Sequence, residues 1–290
     1  MLEYRDNDFI SSVAEGLAGV DVGFIRLSEL HHPSPSPYRV VIDRVSFADP
    51  YLREVMRYWS ISGAYVINNP FYTLVADKLS DILVCDRLGI LHPKTILLPR
   101  LNLTEDMREL VAEPDWDRIG QNLPFPCIVK PVDGYAWQDV FRAESLEELK
   151  RLYESLKGRR VLMVQELIAW TEYYRAFCVG GSEVLLVTWT PKPLDMGEYG
   201  RLDPADSRDV IALMTRKTAE FNTAVGLDFN SIEWCVTAEG KAYIIDSYND
   251  VPDVRKDKIP EPCYRWIVDR FCSRVLKVFE SEERNALPSL

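Results

Sequence analysis

Short apolar runs alternate with segments of helical period along most of this chain, a pattern that predicts an α/β protein built in more than one lobe. Val40-Val41-Ile42 and Ala64-Tyr65-Val66-Ile67 read as strands. Between them, Asp49-Pro50 supplies an N-cap and a first-turn proline for a helix running to about Ser60. A second helical stripe runs from Tyr72 to Leu88 and stops at Gly89, after which Ile96-Leu97-Leu98 returns as a strand. The first forty residues are weakly patterned. They end in His31-His32-Pro33-Ser34-Pro35-Ser36-Pro37, whose alternating prolines forbid regular structure and make the paired histidines loop residues rather than a metal site.

Between Pro114 and Pro126 the pattern dissolves into Pro, Asp, Gly and Asn, which marks the start of a new lobe. Strands are predicted at Cys127 to Lys130 and Gln138 to Arg142. A helix follows, with Ser145 as N-cap, Glu148 completing a capping box and Gly158 as its stop. Further strands cover Val161 to Gln165, Tyr173 to Val179 and Val184 to Trp189, and a long helix spans Ser207 to Val225 before Gly226. The chain closes with a hairpin, Ser231 to Val236 and Ala242 to Asp246, and a helix from about Tyr264 to Phe279.

The hairpin carries the most chemistry. With Glu239-Gly240 as a two-residue turn, Ala238 faces Lys241 and Glu233 faces Asp246. Directly opposed residues have Cβ atoms roughly 4.5–5.5 Å apart, so the two carboxylates repel unless a proton or a cation sits between them. Alternation groups Asp246 with Ile244 and Glu233 with Cys235, on a face too apolar to be simply solvated, and Asn249 offers a third oxygen. Two acids and an amide are hard-cation donors of the kind that bind Mg²⁺. Lys78 interrupts an apolar helical stripe between Leu74 and Ile82, and Lys130 ends the run Cys-Ile-Val at the mouth of a turn. Cations delivered this way, beside a magnesium pair, suit a polyphosphate.

The 34 Lys and Arg residues against 45 Asp and Glu give a net charge of −11, whose field excludes nucleic acid and anionic membrane as partners. No apolar run approaches the ~18 residues of a membrane span, and Met1 to Asp6 lacks a basic and apolar leader, so the expected location is the cytoplasm. The six cysteines show no CxxC spacing and are expected to be reduced core residues.

The order of these features resembles the ATP-grasp superfamily, and within it the ribosomal-protein glutamate ligase-like carboxylate–amine ligases. The resemblance rests on Ala76-Asp77-Lys78 with Gly89-Ile90 and Pro93, Pro126 to Pro131, and Val164 to Ile168. It continues through Tyr174-Arg175, Gly226-Leu227-Asp228, Glu233 and Asp246 to Asn249. It implies an ATP-grasp fold of two α+β lobes clamping a nucleotide over residues 76–290, with a small lobe at about 115–170, after an N-terminal α/β region over 1–75. Lys78 and Lys130 would hold ATP phosphates, the main chain of Gln165, Glu166, Leu167 and Ile168 would read adenine, and Glu172 would bind ribose. Arg175 would act at the terminal phosphate or acyl-phosphate, and Glu233, Asp246 and Asn249 would bind Mg²⁺, or Mn²⁺ in its place.

The activity implied is ATP-dependent joining of a carboxylate to an amine or similar nucleophile, on small-molecule or peptide substrates. A phosphotransferase on the same scaffold, or a nucleotide-binding protein without ligase turnover, is the alternative, and a homo-oligomer is left open. The segment from Trp189 to Asp209, including Lys192 and Arg201, is expected to shape the substrate pockets. Two departures stand out. Asp246-Ser-Tyr-Asn249 is one residue longer than the family's Glu-x-Asn, so either a bulge restores Asp246 or Ser247 takes the metal position. The segment Asp133 to Gln138 holds one glycine and two bulky aromatics where the family has a glycine-rich phosphate lid, so Trp137 would cover the nucleotide differently or contact the second substrate.

Overall fold

Local capping sets the elements much as the sequence signals imply. The computed structural model describes residues 7–72, 79–101, 109–132, 138–192, 197–203, 206 and 208–286. The Asp49 carboxylate accepts from the backbone N–H groups of Tyr51 and Leu52 and opens helix α2, Pro50–Ile61. Ser145 accepts from Glu148 N–H and opens α5, Leu146–Leu156, while the Glu148 carboxylate accepts from the N–H of Glu144, one residue before the cap. Helices α3, Ser80–Leu88, and α6, Asp209–Val225, both end at a left-handed glycine, Gly89 (φ 61°) and Gly226 (φ 70°).

Strands β1, Val40–Ile42, and β2, Tyr65–Ile67, pair in parallel as a two-stranded sheet. A four-stranded sheet runs in the order β3-β6-β4-β5, from Thr95–Leu98, Leu162–Glu166, Cys127–Pro131 and Phe141–Ala143. Alternation along its strands gives it two unlike faces. Leu98, Cys127, Val129, Leu162 and Val164 pack on α5 and on α4, Trp116–Asn122, whereas Lys130, Met163 and Gln165 point the other way, toward a crevice.

A five-stranded antiparallel sheet, in the order β11-β10-β7-β8-β9, forms the other wall of that crevice. Its strands are β7 Glu172–Val179, β8 Glu183–Thr190, β9 Glu198–Arg201, β10 Phe229–Val236 and β11 Ala242–Asp246. Tyr174, Ala176, Ile232, Trp234 and Ile244 on one face pack with α3 and α6. On the other, Phe177, Val179 and Phe229 meet α7, Glu261–Glu280, and α1, Asn7–Gly16. All six cysteines are buried free thiols, as expected, and burial pushes each thiol up, Cys85, Cys178 and Cys235 to about 12.

Three elements depart from the sequence reading. Helix α1 lies in the stretch read as weakly patterned, yet Phe9, Val13 and Leu17, each four residues after the last, line one buried face. Helix α4 occupies the expected boundary segment because Asp115 caps it at Arg118 N–H. Strand β9 is an edge strand whose polar sequence gives no alternation signal. The N-terminal part of the Tyr72 to Leu88 helix lies outside the described residues.

One side chain ties β2 to the five-stranded sheet. The Asn68 amide donates to the carbonyls of Phe229 and Asp250, each at 2.7 Å, and accepts from Phe229 N–H at 2.8 Å, all of them buried. Asn68→Ala strands these groups, so we expect a loss of at least about 2 kcal/mol in unfolding free energy by urea denaturation. A loss of a few tenths would mean that water replaces the clamp.

Candidate active site

The two acids singled out in the sequence do face each other, by a route the sequence does not display. The hairpin turn has three residues rather than two: Thr237 pairs with Lys241, and Gly240 sits at φ 76°. That length offsets the register by one, so Trp234 faces Ile244 and Cys235 faces Tyr243. A β-bulge between Glu233 and Trp234 then leaves Ile245 unopposed and returns Asp246 to the position opposite Glu233. Asp246 consequently leaves the Ile244 face, to which simple alternation assigns it, and joins Glu233, Cys235 and Tyr243.

The same bulge joins the two walls of the crevice. The Lys130 ammonium, carried on β4 of the four-stranded sheet, lies 3.5 Å from the carbonyl oxygen of the bulged Ile245. Lys130, Met163, Gln165, His92, Ile245 and Asp246 are among the residues lining the space between the sheets. Ser247 turns away, its hydroxyl donating to the buried Asp81 carboxylate at 2.9 Å. Of the two residues weighed for the metal position, Ser247 is therefore committed to Asp81, while Asp246 lines the crevice.

Glu233 is held from two sides. Tyr173 O–H donates to Oε2 at 2.8 Å, and Arg175 donates from Nη2 to Oε1. Arg175, one position from Tyr173's neighbour on β7, faces Glu233 across the ladder. Tyr173 is pushed well above its ordinary range by burial and, after that, by the Glu233 carboxylate that accepts its hydrogen bond. Burial opposes the Arg175 charge, but Tyr199 and Glu233 outweigh it and the guanidinium remains fully charged. Asn249 joins the same end of β10 through its backbone, its carbonyl accepting from Ser231 N–H at 3.1 Å and its own N–H donating to Asn230 Oδ1 at 2.7 Å.

The donor set suits a hard cation. Glu233, Asp246 and Asn249 present only oxygen ligands, and a carboxylate with two hydrogen bonds still has lone pairs to offer. Among the described residues, Arg175 Nε, Trp189 Nε1 and Ser231 Oγ are buried polar atoms with no hydrogen-bond partner, so this face of the sheet has donors left over for a ligand. No group of three or more His, Cys, Asp or Glu side chains converges among the described residues, so a third protein oxygen would have to come from an amide such as Asn249, whose backbone is tied to Asn230 and Ser231.

The other candidates divide. Gln165 lies in the crevice and donates from its amide to Thr95 Oγ1 at 2.9 Å, while Glu166 N–H donates to Lys94 O at 2.9 Å. Ile168 packs on Tyr173 and Cys235, joining the end of β6 to the acid-bearing face, and Leu167 beside it is half-buried. Glu172 sits on the opposite face of β7 with Tyr174, and its carboxylate receives Arg208 at 2.7 and 2.8 Å and the Tyr174 hydroxyl. Sequence reasoning missed Arg208 as its partner, because the two lie far apart in the chain and nothing local links them. Lys78, Trp137 and the rest of the 133–137 loop lie outside the described residues.

Hydrogen bonds from Arg208 and then Tyr174 hold the Glu172 carboxyl below its ordinary range. A depressed acid contributes stability that is complete above the ordinary carboxylate range and fades as pH falls through its folded-state value. Glu172→Gln should therefore flatten the decline of stability measured by urea unfolding from about pH 6 to about pH 3. An unaltered slope would show that the exposed Arg208 contact is screened to nothing.

No family model matches the sequence, and no curated protein sequence matches it either. Solved structures do match the fold. The VanG D-Ala:D-Ser ligase of Enterococcus faecalis superposes with a TM-score of 0.62 at 15% identity, over 83% of this chain and 73% of that one. The D-alanine–D-alanine ligase of Bacillus anthracis, complexed with ATP, gives 0.60 at 16% identity over 84% and 79%. The ATP-grasp ligase PsnB, complexed with a minimal precursor, gives 0.62 at 16% identity over 94% of this chain and 96% of its own. The chain has the ATP-grasp fold that the order of its motifs implies.

Proposed function

We propose that this protein is an ATP- and Mg²⁺-dependent ligase that joins a carboxylate to an amine or similar nucleophile. The observation that carries the reading is the bulged hairpin: it sets Glu233 opposite Asp246 on a face that also holds Arg175, with Lys130 leaning over from the facing sheet. In this reading Glu233, Asp246 and Asn249 hold the divalent ion, which supplies charge neutralisation to the triphosphate. Lys78 and Lys130 hold phosphates, Gln165 to Ile168 flank the adenine, and Glu172 lies toward the ribose, free to bind it only if Arg208 yields.

The chemistry asked of the protein is positioning and charge balance, not covalent catalysis. A substrate carboxylate oxygen bonds to the γ-phosphorus as the bond to ADP breaks, giving an acyl-phosphate. The nucleophile's lone pair then attacks the acyl carbon, phosphate leaves, and the nucleophile loses a proton. Arg175 faces the negative charge that develops on the transferred group. The full-length correspondence with PsnB, complexed with its precursor, and the fold shared with the macrocyclase MdnC, bound with precursor peptide MdnA, support a peptide as carrier of one reacting group. No helix among the described residues is long and apolar enough to cross a membrane, which agrees with a cytoplasmic site of action.

Mg·ATP should raise the melting temperature, and a substrate pool of acidic peptides with amines should stimulate ADP release and yield a hydroxamate when trapped with hydroxylamine. A phosphorylated product stable to hydroxylamine would instead establish a phosphotransferase, and no thermal shift would remove the nucleotide. Glu233→Gln and Asp246→Asn should each lower Mg²⁺-dependent turnover about a hundredfold or more while leaving the fold intact by circular dichroism. Lys130→Ala should weaken ATP binding in calorimetry, and an unchanged affinity would count against its phosphate role.

A further inference from the structure

Arg175 is an enclosed cation, its side chain 11% exposed. Its guanidinium lies 4.7 Å from the ring centre of Trp189 and 5.8 Å from that of Tyr199, and it donates from Nη1 to the Tyr199 hydroxyl at 2.6 Å. The two ring centres lie 4.3 Å apart with the planes tilted by 40°, so β8 and β9 together build a shelf under the guanidinium. Gly197 makes room for that shelf, since a Cβ there would lie 1.9 Å from the Trp189 ring. The remaining fork of the guanidinium, Nη2, is committed to Glu233 Oε1.

Glu233 thus has two claimants. It faces Asp246 in the acid pair read above as the cation site, and it is the carboxylate that neutralises Arg175. A divalent ion seated between Glu233 and Asp246 would take up the oxygen that Arg175 uses and would repel the guanidinium across a short distance in a poorly solvated site. The bond to Tyr199 and the contact with Trp189 do not involve Glu233, so both survive that repulsion. What is released is Nη2 alone, while the rest of the guanidinium stays on its shelf.

We infer that Arg175 is the resident counter-ion of Glu233, exchanged for the divalent cation when the site loads, with Trp189 and Tyr199 acting as positioning residues that retain the released guanidinium over the site. The inference rests on the metal reading proposed above. It makes the metal the event that arms the arginine: the group that must meet a phosphate or carboxylate is sequestered until the cation arrives. It also orders binding, with the metal ahead of any substrate that depends on Arg175.

The test uses the intact protein without nucleotide. Mn²⁺ binding is measured from the electron paramagnetic resonance signal of the free ion in wild type, Arg175→Met and Glu233→Gln. In parallel, Mg²⁺ is titrated while the emission of Trp189 is followed as the difference between wild type and Trp189→Phe. Removing the resident cation should tighten Mn²⁺ binding about fivefold or more, and Mg²⁺ should alter Trp189 emission in wild type but not in Arg175→Met. Tighter binding without an emission change would be a field effect and would overturn the exchange. So would equal or weaker binding in Arg175→Met when Glu233→Gln abolishes it, although the metal site would then stand. Binding indifferent to Glu233→Gln, or absent even with ATP added, would overturn the metal reading and this inference together. Should Arg175→Met fail to fold, the wild-type emission titration decides alone, and a flat response overturns the exchange.

Discussion

Everything distinctive about the site depends on a single unopposed residue. Ile245 interrupts the ladder between β10 and β11, and the interruption does two things at once. It turns Asp246 onto the face that carries Glu233, and it leaves the Ile245 carbonyl where the Lys130 ammonium approaches from the other sheet. A strand has a period of two, so a regular β11 would send Asp246 into the apolar layer with Ile244 and Trp234. There a carboxylate would have to be neutralised or would unfold the layer. The bulge is therefore the element that makes an acid pair compatible with a folded sheet.

Around that pair the electrostatics close on themselves. Glu233 is engaged by Tyr173 and Arg175, Arg175 also by Tyr199 and the Trp189 ring, and Glu172 on the reverse face by Arg208. Arranging charges in such closed sets offsets the desolvation that each would otherwise suffer alone. The overall charge of −11 says little about this neighbourhood, where cations and acids alternate within hydrogen-bonding distance. A protein with a repulsive exterior can still hold a site suited to a polyanion, because the pairing is decided at a few ångströms.

The sequence revealed the parts of this arrangement that are local. Asp49-Pro50, Ser145 with Glu148, and the glycines after α3 and α6 are signals written within one turn of the element they control. The facing of Glu233 and Asp246 was legible too, but for a compensating reason: a three-residue turn shifts the register one way and the bulge shifts it back. Neither is visible in Glu239-Gly240, which fits a two-residue turn equally well. The Glu172–Arg208 contact, the Arg175 shelf on β9 and the Asn68 clamp depend on chain segments far apart, so no spacing rule reaches them. Helix α1 is the instructive miss, since the regular placement of Phe9, Val13 and Leu17 was there to be read and was masked by the proline-rich stretch that follows.

The six enclosed cysteines have a consequence for handling the molecule. Nucleophilic attack requires the thiolate, and burial keeps all six as thiols far from neutral pH and out of reach of reagents. The native protein is expected to react slowly with maleimides, although it carries a sulfur in nearly every structural layer. Any thiol that reacts reports an opening of the layer that holds it: Cys127 for the four-stranded sheet, Cys235 for the acid-bearing face, Cys272 for the helix packed beneath it. The chain thus contains its own set of depth gauges, and a single cysteine introduced at the surface would be a unique handle against a quiet background.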